Sequence, residues 1–564
     1  MPGGRLNPLA RELRDEAVNH SLPGALSRRE VLRLGGAFGA SVALAACTGA
    51  PSRSPSPGET KPAGSSSPTA HDARVVVVGA GLAGITAAYR LAQQGVHVQL
   101  FEARDRLGGR CWTAHGFAQG QTAEHGGEFI DTRHVHIRGL AAELGLRLDD
   151  LFAGWPSHAV SPNWIDGSYL GPTVLREWHK RMAAEALTDA HRIGEFESGR
   201  PTFRCYSYGT ATDAARELDA MSMSDWLHER FPDAPSVVES FWNVSMAGWY
   251  GLDLAALSAV NWVDFFVTPY PGADERWHVH GGNDQVPNLA AERLPDGTVT
   301  LEAPLTELIK RPDGTYELRF GGSASSRAVI ADTVVLATPW TTLRSVDLSG
   351  AGFPAYRLEA IRELGMGTDV KLLLQYDRRP WTFHLPGRDG SAWTGVLNHS
   401  DPNYDTWESS TLEPGSAGLI TVYAGGSGSE TFVSNTPHGP APAALSSEIV
   451  KQIDQVVPGT GARFNGTAWL DYWTGDPWTL GSYAAYRPGQ MTRYWGYAGI
   501  PEDNVHFAGE HTSTYSQGYL NGGCESGQRA AIEVLHALGR PVPHAIARLP
   551  YSYVPGERVG SFVA

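Results

Sequence analysis

Cysteine is scarce in this chain of 564 residues: Cys47, Cys111, Cys205 and Cys524 are all there is. So few exclude a disulfide framework, and none has the spacing of a metal-ligand pair, so no metal is expected. Basic residues are in deficit too, 45 Lys and Arg against 60 Asp and Glu, a net charge of −15. Setting aside the first 46 residues, which hold six arginines and four acids, takes it to −17. An acidic balance argues against nucleic acid as a partner. No internal repeat is present, and no run beyond the N-terminal region is apolar enough for a membrane helix. Motifs that pair a nucleophile with a base, or two carboxylates, are missing as well, which argues against chemistry carried by side chains alone. At 42% hydrophobic residues the chain can bury a large core, and its length suggests two to four domains.

The N-terminus reads as an address. Ser27-Arg28-Arg29-Glu30-Val31-Leu32-Arg33 precedes a mildly apolar, glycine- and alanine-rich run ending in Leu44-Ala45-Ala46-Cys47. This resembles a twin-arginine signal (1–46) with a lipoprotein cleavage box. The thirteen residues from Leu34 to Ala46 are too few to cross a bilayer. Residues 47–72, rich in Pro, Ser, Gly and Thr, are expected to form a flexible tether. The mature chain would then be exported by the twin-arginine route. It would hang from a lipidated Cys47, its one membrane contact, on the outer side of the cytoplasmic membrane, or be released. With Cys47 lipidated, three cysteines remain, so at least one is free or paired between molecules.

The most informative stretch starts with four valines, Val75 to Val78, and continues Gly79-Ala-Gly81-Leu-Ala-Gly84. A helix is expected from Leu82 to Gln94, then a second strand ending at Glu102, eighteen residues after Gly84. Glycines here let the backbone turn tightly and approach a pyrophosphate at a helix N-terminus. A carboxylate at the end of the second strand suits the two hydroxyls of a ribose. Directly after it come Arg104, Asp105, Arg106 and the pair Gly108-Gly109 with Arg110, a second phosphate loop that a nicotinamide fold does not need. The combination reads as FAD.

Two later segments return to the same domain: 276–345, with its apolar Val334-Val335-Leu336, and 466–540. The second holds Val505-His-Phe507-Ala508-Gly509-Glu510 and then Gly518-Tyr519-Leu-Asn521-Gly522-Gly523, another strand, turn and helix N-terminus. From Ala73 to about Leu538 the chain resembles the flavin-containing amine oxidase family of monoamine, polyamine, L-amino-acid and nicotine oxidases. The resemblance implies an α/β architecture. A doubly wound, glutathione-reductase-like Rossmann domain that binds FAD (73–150, 276–345, 466–540) is interleaved with an α+β substrate domain (151–275, 346–465), and 541–564 form a tail.

Site roles follow from the same resemblance. Gly79, Gly81, Gly84, Glu102, Arg104, Gly109, Arg110, Gly127, Glu128, Leu305, Trp473, Gly509, Glu510, Gly518 and Tyr519 are expected around FAD. Lys371 falls in Gly-Thr-Asp-Val-Lys371-Leu-Leu-Leu-Gln, the segment whose lysine holds a water against the flavin ring. Strand alternation puts Lys371, Leu373 and Gln375 on one face and Val370, Leu372 and Leu374 on the other. Tyr483 and Tyr519 would be the two walls of an aromatic cage, and with Lys371 the catalytic set. Ser482 stands where animal monoamine oxidases carry a cysteine bonded to the flavin, so FAD is expected to be non-covalent. Phe129 occupies the neighbourhood where amino-acid oxidases keep a carboxylate-clamping arginine, which favours an amine without a carboxylate. Asp131 falls where polyamine oxidases carry a glutamate for a distal ammonium, and Arg133 keeps amino acids open as an alternative.

The expected reaction is oxidation of a small-molecule amine to an imine, hydrolysed to an aldehyde or ketone, with dioxygen reduced to hydrogen peroxide. Two other classes stay open: a flavin dehydrogenase that passes electrons to an exported redox protein, and a flavoprotein that binds without turnover. Oligomeric state is not legible.

Overall fold

The computed structural model describes residues 73–543 apart from 155–158, 195, 198–199, 202–204, 268–271, 323–326 and 386–390. The expected signal, the tether and most of the C-terminal tail lie outside the described residues. Among the described residues no helix is long and apolar enough to cross a membrane.

Two sheets organise the chain. The first has five parallel strands in the order Val299–Thr300, Val98–Phe101, Val75–Val78, Thr333–Leu336 and Val505–Phe507. Val75–Val78 lies in the middle, all four side chains buried, as expected for a parallel strand covered on both faces. Its helix, Leu82–Gln93, packs on the long helix Leu520–Ala537. Glycine sets that contact: a Cβ on Gly527 would stand 2.2 Å from the Ala83 carbonyl oxygen, and one on Gly523 3.1 Å from the Leu82 Cβ. The close crossing brings the two helix N-termini side by side at the carboxyl ends of the strands, where ligands bind in such sheets.

The second sheet has eight strands, in the order His438–Pro440, Phe464–Tyr472, Val370–Tyr376, Gly418–Ala424, Asn403–Glu408, Leu397–Ser400, Asn163–Ile165 and Ser168–Tyr169. Phe464–Tyr472 pairs with Val370–Tyr376, from Phe464↔Tyr376 to Tyr472↔Val370. Residues 466–472 therefore belong to this sheet, and the third return to the nucleotide domain starts later than the expected 466. Helices Pro172–Ile193, Met223–Arg230, Ser236–Tyr250 and Val260–Val267 flank it around the fully buried Trp226, Trp242 and Trp262. A three-stranded antiparallel sheet, Leu305–Lys310, Tyr316–Phe320 and Arg327–Ala331, packs under the nucleotide sheet through a Phe101–Phe320 stack of 4.1 Å. Cys111, Cys205 and Cys524 are all buried, and none of them forms a disulfide among the described residues.

Candidate active site

A cavity of about 1690 Å³, open mouth included, runs from the nucleotide sheet to the second sheet.

Its nucleotide end is built as the motif implies. Gly79 takes φ +97°, and a Cβ on Gly84 would lie 1.8 Å from the Gly79 carbonyl oxygen, so Gly84 serves the packing of helix on turn rather than lining the cavity. The buried Glu102 carboxylate accepts the backbone N–H of Ala80 at 2.6 Å and of Arg104 at 2.9 Å, one on each oxygen. Each oxygen keeps a lone pair, held in place for a ribose hydroxyl. A Cβ on Gly109 would stand 3.3 Å from the Gly81 Cα. The helices starting at Leu82 and Leu520 have no side-chain cap at Gly81 or Tyr519, and Gly81, Leu82, Ala83, Leu520 and Gly523 line the same cavity. Two helix N-termini with free N–H groups facing one space suit a diphosphate, and the glycine cradle between them leaves the backbone room. The residues present fit FAD.

Arg110 and Glu510 hold each other. Arg110 Nη1 donates to Glu510 Oε1 at 2.9 Å and to the Ser482 carbonyl at 2.6 Å, while Glu510 also accepts N–H bonds from Ala484 and Gly518. Trp473 lines the cavity and donates to the His125 carbonyl at 3.1 Å, and Leu305, Gly127, Gly509 and Gly518 line it as expected. Arg104 is bound to Asp476 at 2.8 Å. Asp476 also meets His438, and His438 and His125 both meet the buried Asp471. Burial pushes Asp476 up, but the His438 hydrogen bond and Arg104 outweigh it and hold the carboxyl at about 2. This chain of ion pairs ties the phosphate loop to the second sheet.

At the other end Lys371 sits on an interior strand, 4% exposed. Val370, Leu372 and Leu374 pack into the apolar core behind it, as the alternation requires. Nζ donates to Glu128 Oε2 at 2.9 Å and to the Glu124 carbonyl at 3.0 Å, and lies 5.3 Å from the Trp407 ring centroid. Trp407 Nε1 donates to the same Glu128 oxygen at 3.0 Å. Glu128, expected to serve the cofactor, thus has its carboxylate on the lysine. Tyr483, Tyr519 and Phe129 all line the cavity. The Tyr483 hydroxyl donates to the Gly248 carbonyl at 3.1 Å, and Tyr519 stands edge-on to His134 at 4.6 Å. Ser482 Oγ donates to Asp369 at 2.5 Å.

Asp131 is a correction. It does not line the cavity: its carboxyl, 1% exposed, accepts the Glu275 N–H at 2.7 Å and lies 3.3 Å from His134 Nε2. It holds a turn together and does not face substrate. Arg133 is also turned away, donating to the Tyr515 carbonyl at 2.5 Å and stacked on the Tyr515 ring. Sequence reasoning gave no role to Asp369, Trp407, Tyr423 or Thr338, all of which line the cavity. Asn283, whose amide donates to the carbonyls of Gly127 at 3.1 Å and Glu128 at 2.8 Å, was equally silent.

Residues 82–535 match the family described as flavin containing amine oxidoreductase. The chain belongs to the flavin-containing amine oxidases. It is 27% identical over 510 residues to flavin-containing amine oxidase A of Canis lupus familiaris, covering 83% of this chain and 85% of the relative. To human flavin-containing amine oxidase B it is 24% identical over 493 residues, covering 83% and 86%. Among solved structures, cyclohexylamine oxidase from Brevibacterium oxydans superposes with a TM-score of 0.68 at 22% identity, covering 83% of this chain and 100% of that one. Putrescine oxidase bound to putrescine gives 0.66 at 20%, covering 82% and 99%. These folds agree with an amine oxidase that pairs an α/β FAD domain with a mixed-sheet domain. As a member of the family the chain is an oxidoreductase that acts on amines and uses FAD.

Proposed function

We propose that this amine oxidase converts an amine lacking a carboxylate into an imine, which water then hydrolyses to an aldehyde or ketone and a smaller amine or ammonia. When bound, FAD supplies the redox chemistry, taking a hydride equivalent from the amine's α-carbon and delivering two electrons to dioxygen to give hydrogen peroxide. The chain's own residues do the rest. Tyr483, Tyr519 and Phe129 exclude water and orient the amine, and an ammonium entering between aromatic faces is attracted to them. Lys371 holds positive charge where negative charge develops on oxygen. Ser482, with its hydroxyl on Asp369, forms no bond to the cofactor, so FAD is held non-covalently.

The observation that carries this reading is the buried Lys371, fixed between Glu128 and the Glu124 carbonyl in the same cavity as two uncapped helix N-termini. Arg133, committed to Tyr515, supports an amine over an amino acid. In the cell, the leader and Cys47 support export in the folded state, followed by anchoring at the outer side of the cytoplasmic membrane or release. The test is peroxide release by the FAD-loaded enzyme with a panel of monoamines, diamines and amino acids. Oxygen-dependent peroxide from simple amines is expected. Bleaching of the flavin colour without peroxide would make it a dehydrogenase, and no bleaching by any amine would end the proposal.

A further inference from the structure

Asp369 precedes the Lys371 strand and lines the cavity, yet it is 1% exposed and among the described residues no cation is bonded to it. Oδ2 accepts the Ser482 hydroxyl, and among the described residues Oδ1 has no hydrogen bond of ordinary geometry. Gly425 and Gly251 make the room for it: a Cβ on either would stand within 2.6 Å of a carboxyl oxygen. The hydroxyls of Tyr423 and Tyr483, 3.3 Å apart, both face it. On its own strand Lys371 is paired with Glu128, and across the sheet Asp405 stands in register with Tyr423. The helix Ser236–Tyr250 contributes carbonyls of Ala247 and Gly248, the negative end of its dipole. Burial is the main reason the carboxyl is pushed up to about 7, a value suited to exchanging a proton near neutral pH. Burial and the charge of Asp369 push both phenols well up, so both keep their protons.

An uncompensated carboxylate is costly inside a protein unless it is used. Amines reach the enzyme as ammonium ions, whereas loss of a hydride equivalent needs the free nitrogen lone pair. We infer that Asp369 is the group that takes the ammonium proton, passed through the Tyr423–Tyr483 hydroxyl pair. A proton leaves the ammonium for a tyrosine oxygen as a tyrosine proton moves to the Asp369 carboxylate. The neutral amine and the protonated Asp369 remain, and no electron moves. Asp369 is thus a positioning residue for the proton rather than a group in contact with the reacting carbon. The inference rests on the amine-oxidase reading above.

The experiment uses the FAD-loaded enzyme and tert-butylamine, which has no α-hydrogen and cannot be oxidised. Calorimetry in two buffers of different ionisation enthalpy, at about pH 8, counts the protons released on binding. The wild type should release well under one proton per amine, because Asp369 keeps it, whereas Asp369→Asn should release close to one. Tyr423→Phe leaves the carboxyl in place and removes one relay hydroxyl, so it should keep the wild-type proton count and slow anaerobic flavin reduction near pH 7. In parallel, anaerobic flavin reduction by an oxidisable amine should fall about tenfold or more in Asp369→Asn near pH 7 and recover above the amine's own pKa. Release of a full proton by the wild type, a wild-type proton count in Asp369→Asn, wild-type flavin reduction in Tyr423→Phe, or a loss that is constant with pH would overturn the inference. Failure of the wild type to bleach with any amine would instead remove the underlying reading.

Discussion

Replacing Lys371 with methionine takes away the ammonium that the buried Glu128 carboxylate faces at 2.9 Å. The methionine fills a similar volume, so the cavity term is small and the cost is electrostatic. Stripping one partner from a buried ion pair costs about 3–5 kcal/mol. Glu128 has an escape: it can take up a proton, which at pH 7 costs about 1.36 kcal/mol for each unit above its ordinary ~4.3, a ceiling near 4 kcal/mol. Trp407 Nε1 still donates to Glu128 and moderates the loss. Lys371→Met should therefore cost about 3 kcal/mol at pH 7 and clearly less at pH 5, where protonation is cheap. Glu128→Gln, which leaves the ammonium facing an amide, should also destabilise. The double variant should lose less than the sum by about 2 kcal/mol, the signature of a direct pair. Chemical denaturation of the FAD-loaded protein, followed by tryptophan fluorescence at the two pH values, reads all four proteins. Additivity within about 0.5 kcal/mol, or a Lys371→Met cost unchanged between the two pH values, would refute the pairing.

Other expectations follow from the same geometry. Asp369 has a folded-state value near 7 against an ordinary 3.8, so ionising it costs stability progressively from about pH 4 to pH 7. Asp369→Asn should gain on the wild type over that window, by at most about 4 kcal/mol, in thermal melts at stepped pH; a gain independent of pH would contradict the raised value. Asp476, held near 2, is the opposite case: its stabilisation is present above pH 3.8 and lost as pH falls through about 2. Asp476→Asn should cost about 2 kcal/mol at pH 6 and little at pH 2, measured by acid unfolding, and an equal cost at both would sink the assignment. Gly84→Ala puts a methyl 1.8 Å from a carbonyl oxygen and should abolish soluble protein, whereas a Cβ on Gly81 meets nothing nearer than 3.9 Å. Gly81→Ala should fold, by circular dichroism, and lose FAD affinity; equal folding yields for the two would count against the packing role given to Gly84.

What could be read in the sequence was local. Gly79, Gly81 and Glu102 lie within one strand, turn, helix and strand, where spacing fixes geometry, and all three line the cavity, whereas Gly84 of the same motif packs helix on turn. Lys371 was legible because its segment resembles the family's and strand alternation sets it on one face with Leu373 and Gln375. The Lys371–Glu128 pair was not, since 243 residues separate its members and nothing local marks Glu128 as its acceptor. Asp131 shows the converse error: its position suggested a substrate contact, but its partner is the backbone of Glu275, 144 residues on. The eight-stranded sheet gathers strands from well-separated parts of the chain, so the membership of Phe464–Tyr472 depended on pairing that no periodicity announces. Asp369 was passed over because an aspartate before a strand reads as a turn residue.

Most direct for the central claim is stopped-flow measurement of the two half-reactions in Lys371→Met loaded with FAD. Reduction by an amine without oxygen should stay within a few-fold of the wild type, while reoxidation by dioxygen should slow by about 10²-fold or more. Equal slowing of both, or a variant that reoxidises as fast as the wild type, would contradict the account.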